Sequence, residues 1–237
     1  MRERIGRTVM LVSCLLLLIG AEAAAQGNWR PGDFGSLRFR LGMFEPDAES
    51  TYWEDSFRDF TGSPSDFEDA SIGFDYAWPL SDSAAIQFGI GHWSGEATQA
   101  YRDWVDADGR DIAHLTSIDR SELSAALVYH IGGRDSSFAP YIGAGGGFVW
   151  WRSEETGDFI DFGDDDLPIV TTTYESDDVV LGTFLLAGLE VRLAPRWSFF
   201  AEGRWLDADD ELGGEHAGLG TLDLSGREIA AGLAWHF

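Results

Sequence analysis

The sequence predicts an all-β protein: an eight-stranded, antiparallel, up-and-down transmembrane β-barrel. Three observations carry this expectation. Eight stretches alternate apolar with polar or small residues at period two, as strands with two unlike faces do. The connections between them alternate long and short, with both chain ends on the short-turn side, the layout of barrels whose long loops face outside. The chain ends on "AGLAWHF", Ala231 to Phe237, where a frayed tail would be polar.

The first 25 residues stand apart. "MRERIGRTVMLVSCLLLLIGAEAAAQ" sets Arg2, Arg4 and Arg7 before an apolar core from Met10 to Gly20, then small residues. A secretory signal peptide is expected, cleaved after Ala25, leaving 26–237 as the barrel domain. "LVSC", Leu11 to Cys14, also fits a lipoprotein box, but the apolar core continues through Leu18, which argues against it. Cys14 is the one cysteine, so there is no disulfide framework. No later stretch has the ~18 consecutive apolar residues of a membrane helix. An exported chain without such a helix is a soluble domain or a barrel. A soluble sandwich alternates too; the long–short connections decide for the barrel.

The strands follow in order. "SLRFRLGMF" sets Leu37, Phe39, Leu41 and Met43 against Arg38, Arg40 and Gly42. "ASIGFDYAW" sets Ile72, Phe74, Tyr76 and Trp78 against Gly73, Asp75 and Ala77. "AAIQFGIGHW" and "ELSAALVYHI" continue the pattern, the latter with Leu123, Ala125, Leu127 and Tyr129 on one side. "PYIGAGGGFVWW" is glycine-rich, with Val149 and Trp151 opposite Phe148 and Trp150. "LLAGLEVRL", "WSFFAEGRW" and "REIAAGLAWHF" complete the set. The long connections are read as Glu45–Asp69, Gly95–Asp111, Ser153–Asp178 and Asp207–Thr221. Alternation around Thr116 to Arg120 suggests that the fourth strand rises above the membrane. No convincing amphipathic helix is found.

Trp78, Tyr129, Tyr141, Trp197, Trp235 and Phe237 fall at the periplasmic ends of strands, and Trp151 and Trp205 at the outer ends. All are expected on the lipid side as two aromatic girdles, since core aromatics have no reason to collect at strand ends. Phe237 is then the last lipid-facing residue of the closing strand.

The C-terminal stretch resembles the assembly signal of Gram-negative outer-membrane proteins, with Trp235 and Phe237 at alternate positions and Gly232 in the expected place; Ala230 departs from the usual polar residue. The mature chain resembles small barrels of the OmpA, OmpX and OmpW type. The resemblance implies the outer membrane, folding by the barrel assembly machinery, and contact with outer-membrane lipid and lipopolysaccharide. It implies little about activity.

Eight strands close at a size that side chains fill, so a wide porin channel is excluded. The inward face is expected to carry Arg38, Arg40, Asp75, Gln87, Glu122, Glu190, Arg192, Glu202, Arg204 and Glu228 among small residues. Unpaired buried charge is costly. All of these except Gln87 are therefore expected to form an ion-pair network that plugs the lumen; the alternative is a gated ion path through the same charges.

All 16 basic residues are Arg, against 41 acidic ones, for a net charge of −25. This argues against a nucleic-acid partner, because phosphate binding needs a basic face. The long connections hold 29 of the acidic residues and three Arg. Such loops serve solubility and repulsion first; divalent cations are a further expected partner, with Asp164, Asp165 and Asp166 in "GDFIDFGDDD" as candidate ligands. "DADGRD", Asp106 to Asp111, fails the calcium-loop template, because Trp104 and Leu115 would take ligand positions. "YWEDSFRDF" and "FIDF" either cover the barrel mouth or form a recognition surface.

A hydrolase needs a serine, a histidine and an orienting acid. None of His92, His114, His130, His216 and His236 sits in a convincing sequence arrangement. "GAGGG", Gly143 to Gly147, lacks the spacing of a nucleotide loop. No enzyme activity and no cofactor are expected. The leading expectation is a monomeric, non-catalytic barrel with a structural or surface-interaction role. A narrow channel for small solutes or hydrophobic compounds is the first alternative, and a lipid-modifying enzyme the second.

Overall fold

The computed structural model describes residues 34–237, the Glu215 side chain excepted; the expected signal peptide lies outside them. Eight long strands close into one ring in the order β1–β10–β7–β6–β5–β4–β3–β2. They are β1 (Ser36–Pro46), β2 (Asp69–Pro79), β3 (Ala84–Val105), β4 (Asp111–His130), β5 (Phe138–Ile160), β6 (Ile169–Ala194), β7 (Trp197–Asp207) and β10 (Gly226–His236). β8 (Asp209–Glu211) and β9 (Thr221–Asp223) form a separate small hairpin in the last outer connection. Closure runs from Ser36↔His236 to Pro46↔Gly226, so the apolar alternation at the C-terminus is the seam of the barrel.

The strands differ in height. β1, β2, β7 and β10 have 11 residues each, about the span of a bilayer. β3 to β6 run 22, 20, 23 and 26 residues, so their outer halves stand above it. The connections read as Gly95–Asp111 and Ser153–Asp178 are therefore mostly strand. Polar residues such as Thr156 and Thr173 pair there, with hydroxyls 3.0 Å apart, and period-two hydropathy does not register an alternation of polar with polar. A helix also forms where none was expected, α1 (Thr51–Asp59), burying Tyr52, Trp53 and Ser56.

The outward rows are apolar: Leu41, Phe74, Phe88, Leu127, Phe148, Leu185 and Ile229 are all exposed. Among the described residues no helix is long and apolar enough to cross a membrane; strands do the crossing. Trp78, Tyr129, Trp197 and Trp205 point outward and are exposed. Three expected girdle positions differ. Tyr141 is 1% exposed and Trp151 3% exposed, because both point inward to polar partners described below. Phe237 is 7% exposed: its ring stacks on Tyr76 with centroids 6.1 Å apart and lies 5.3 Å from Trp235, so neighbours cover it. Gly232 pairs with Arg40 and Phe200, and a Cβ there would fall 2.0 Å from the Phe39 carbonyl oxygen and 2.5 Å from the Phe200 ring.

Candidate functional site: the barrel interior and its outer cap

Among the described residues, three arginines and five carboxylates form one ion-paired cluster at mid-height in the interior. Each projects from an inward position of a different strand or from two positions along one strand. Arg40 Nη1 lies 2.8 Å from both carboxylate oxygens of Asp75, Nη2 3.0 Å from Glu122, and Nε 3.4 Å from Glu228. Arg204 Nε donates to Glu202 at 2.7 Å, and its two amino groups reach Glu122 at 3.2 Å and Asp75 at 3.4 Å. Arg38 donates to Glu190 and to the Tyr141 hydroxyl, both at 2.8 Å, and lies 3.7 Å from Glu202. The Tyr141 hydroxyl in turn donates to Glu202 at 2.9 Å, and Ser71 donates to Glu228 at 2.6 Å.

Small inward residues make this geometry fit. Cβ atoms on Gly73 and Gly89 would come within 2.4 Å of Arg40 Cζ and of an Asp75 oxygen. Nearly every carboxylate is shared by two donors, which is what makes buried charge tolerable. Arg192 stands outside the network. It lies at the periplasmic rim, where the Pro195 and Arg134 carbonyls accept its guanidinium at 3.3 and 3.1 Å and Asp135 sits 3.8 Å away; turn groups are nearer there than lumen carboxylates.

Sequence reasoning missed Tyr141, Ser71 and Arg120. The Arg120 guanidinium stacks 3.8 Å above the Phe44 ring and 5.6 Å from Trp93, and donates to the Leu224 carbonyl at 3.3 Å. Its parity with Glu122 on the same strand was the available signal.

Above Arg120 the interior turns aromatic. Phe44 packs on Trp93 at 4.9 Å, and α1 lowers Trp53 onto Phe67 at 5.0 Å. Trp53 Nε1 donates to the Asp223 carbonyl at 2.9 Å and the Tyr52 hydroxyl to Glu155 at 2.5 Å. Trp151 Nε1 donates to Asp210 at 2.9 Å. Helix, small hairpin and tall strands thus meet over the outer mouth, with Leu212, Leu222 and Leu224 buried among them. The segment "YWEDSFRDF" covers the mouth rather than standing free.

Small cavities lie in the lumen between the described residues. One of about 10 Å³ lies between Arg120, Glu122, Arg204 and Phe184. One of about 20 Å³ opens at the periplasmic end. Each holds about one water-sized group.

Asp164, Asp165 and Asp166 occupy the exposed β5–β6 turn, and among the described residues no group of three or more His, Cys, Asp or Glu side chains is placed to hold a metal ion. On the outer face, His92 Nδ1 lies 3.0 Å from Ser121 Oγ, both exposed. Cross-strand pairing brings them together, which sequence spacing does not reveal. His130 points inward and packs 5.3 Å from Tyr141. His236 lies 2.8 Å from Ser198 Oγ and 3.1 Å from Glu190.

The model of the outer membrane protein beta-barrel domain family matches residues 11–237. Among solved structures, OprG of Pseudomonas aeruginosa superposes with a TM-score of 0.54 at 14% identity, covering 89% of this chain and 99% of its own. Neisserial surface protein A superposes with a TM-score of 0.52 at 13% identity, covering 86% and 97%. At these identities the likeness is one of fold. Comparison with curated proteins gives no match.

Proposed function

The chain belongs to the outer membrane protein β-barrel domain family, and from that premise we propose that it is a non-catalytic barrel with a closed lumen, acting through its acidic outer surface. One observation carries the reading: two unlike layers stand in series across the same lumen. The lower is the network of Arg38, Arg40 and Arg204 with their carboxylates. The upper is the aromatic cap of Phe44, Trp53, Phe67 and Trp93. An ion crossing would have to break shared ion pairs and then enter a desolvated aromatic layer, and both steps are costly. The outer strand halves and turns, rich in carboxylates, are what remains to meet the surroundings, and loops on a rigid scaffold are where binding resides. On this reading the chain is exported through a signal peptide cleaved after Ala25.

Planar-bilayer recording of the refolded protein tests the closed lumen. The expected trace is flat. Discrete steps that disappear when Glu202 or Arg204 loses its charge would replace this reading with a narrow channel.

A lipid-modifying reading has one observation in its favour, the outward His92–Ser121 pair. Among the described hydrogen bonds no carboxylate meets the His92 ring, so the orienting acid of a hydrolase triad lacks a candidate.

A further inference from the structure

The periplasmic cavity of about 20 Å³ is lined by Arg38, Gln87, His130, Arg134, Glu190 and Arg192, among others. Among the described residues, three of these lining side chains carry a buried nitrogen without a hydrogen-bond partner: Arg38 Nε, Gln87 Nε2 and His130 Nδ1. Arg38, Gln87 and His130 are 3%, 3% and 6% exposed. Native proteins rarely leave such groups unsatisfied without an occupant.

Two of the three unpartnered atoms are obligate donors. The buried carboxylate on the same wall is already paired. Glu190 receives Arg38 at 2.8 Å and meets His236 at 3.1 Å. Asp135 is solvent-exposed and lies 3.8 Å from Arg192. Arg134 and Arg192 stand at the mouth as further positive charges. The wall therefore offers N–H groups and positive potential, in a space the size of one small group.

We propose that this cavity is a binding site for a small monovalent anion of halide size, held by Arg38 Nε–H and the Gln87 amide, with the His130 ring presenting N–H. The anion enters from the periplasmic side, past Arg134 and Arg192. It completes the hydrogen bonds of the lowest lumen layer and adds negative charge beside Arg38. Gluconate exceeds the cavity and serves as the non-binding counterpart at equal ionic strength.

Two measurements test the site in the refolded barrel. In crystals soaked with bromide, an anomalous peak is expected in the cavity next to Gln87; plain water density without anomalous signal overturns the proposal. In solution, the urea midpoint is expected to rise saturably with chloride but not with gluconate. Gln87→Met keeps the length of the side chain and removes its donors, so the half-saturating chloride concentration should rise about tenfold, the worth of one hydrogen bond to a charged group. Arg134→Gln, on an exposed turn, gives a second variant should Gln87→Met fold poorly, and should weaken the chloride effect in the same direction. Equal effects of chloride and gluconate overturn the proposal, as does an unchanged chloride dependence in the variants. A bromide peak with no chloride effect in solution means an adventitious ion only, and overturns it as well.

Discussion

Arg40 and Asp75 engage through two oxygens at once: Arg40 Nη1 lies 2.8 Å from both Oδ1 and Oδ2 of Asp75, across the β1–β2 pairing. Both side chains are almost fully buried, and Asp75 also lies 3.4 Å from Arg204. Removing the carboxylate leaves two arginines short of a partner in a confined space. Asp75→Ala is expected to cost about 3–5 kcal/mol, the usual penalty for breaking a buried pair. Urea unfolding in lipid vesicles measures it. A loss below about 0.5 kcal/mol, the range of an ordinary surface substitution, would mean that water already solvates the pair.

The same guanidinium explains Gly73. A methyl group there would sit 2.4 Å from Arg40 Cζ and 2.6 Å from its Nε. A long side chain usually swings away, but this one is fixed by Asp75, Glu122 and Glu228 together. Gly73→Ala should therefore destabilise by about 1–3 kcal/mol, as overpacking does. Gly203→Ala is the control: the nearest atom to its added Cβ is the tip of Trp205 at 3.3 Å, and little change in midpoint is expected.

Two seals in series predict a non-additive opening. Trp53→Ala loosens the cap but leaves Arg38, Arg40 and Arg204 paired, so bilayer recordings should stay flat. Glu202→Ala with Arg204→Ala removes part of the lower layer beneath an intact cap, and should also stay flat. Only the triple variant should conduct. Steps in the single cap variant would show that the ion-pair layer is permeable on its own.

The His92–Ser121 contact gives a direct enzymatic check. If the pair acts only as a cross-strand hydrogen bond, purified protein releases no acyl chain from lipopolysaccharide, and Ser121→Ala matches the wild type. Release that Ser121→Ala abolishes would establish catalysis.

The sequence discloses these features unevenly. The inward charges of β1, β2, β7 and β10 are legible because each sits opposite a clear apolar row, as Arg38 and Arg40 do against Leu37, Phe39 and Leu41. β5 is not, because both faces carry large rings around Gly143 to Gly147. Their places at strand ends predict that Tyr141 and Trp151 face lipid; Arg38, Glu202 and Asp210, distant in sequence, draw them inside. The signal available was size: inward rows are built from small residues, and Gly143, Gly145 and Gly147 share the parity of Tyr141 and Trp151. The cap was less legible still. α1 has nine residues, too short to be stable alone, and it owes its place to Trp53 docking on Phe67 and on the Asp223 carbonyl.

Acid should release that cap before it disturbs the barrel. Beneath α1, burial alone would raise the Glu155 carboxyl, but His216, the Tyr52 hydroxyl and His114 hold it below its ordinary 4.5. Burial pushes the His114 imidazole below 6.5, with Glu155 offsetting part of the effect; its ring lies between Phe60 at 4.6 Å and Phe159 at 4.7 Å. Both shifts favour the deprotonated form, so the unfolded cap binds more protons than the folded one. Stability is then complete above pH 6.5 and declines as pH falls, first through His114 and below 4.5 through Glu155. Hydrogen exchange of the Thr51–Asp59 amides, corrected for intrinsic rates, should accelerate between pH 7 and pH 4 while the β1 and β10 amides hold, by up to about tenfold for each pH unit separating folded and unfolded pKa. His114→Phe keeps an aromatic ring between the two phenylalanines and should flatten the upper part of this dependence. Glu155→Gln should flatten the lower part and raise exchange at pH 7, because Tyr52 loses its charged acceptor. An α1 exchange rate independent of pH in the unaltered protein would show that neither group is coupled to the cap.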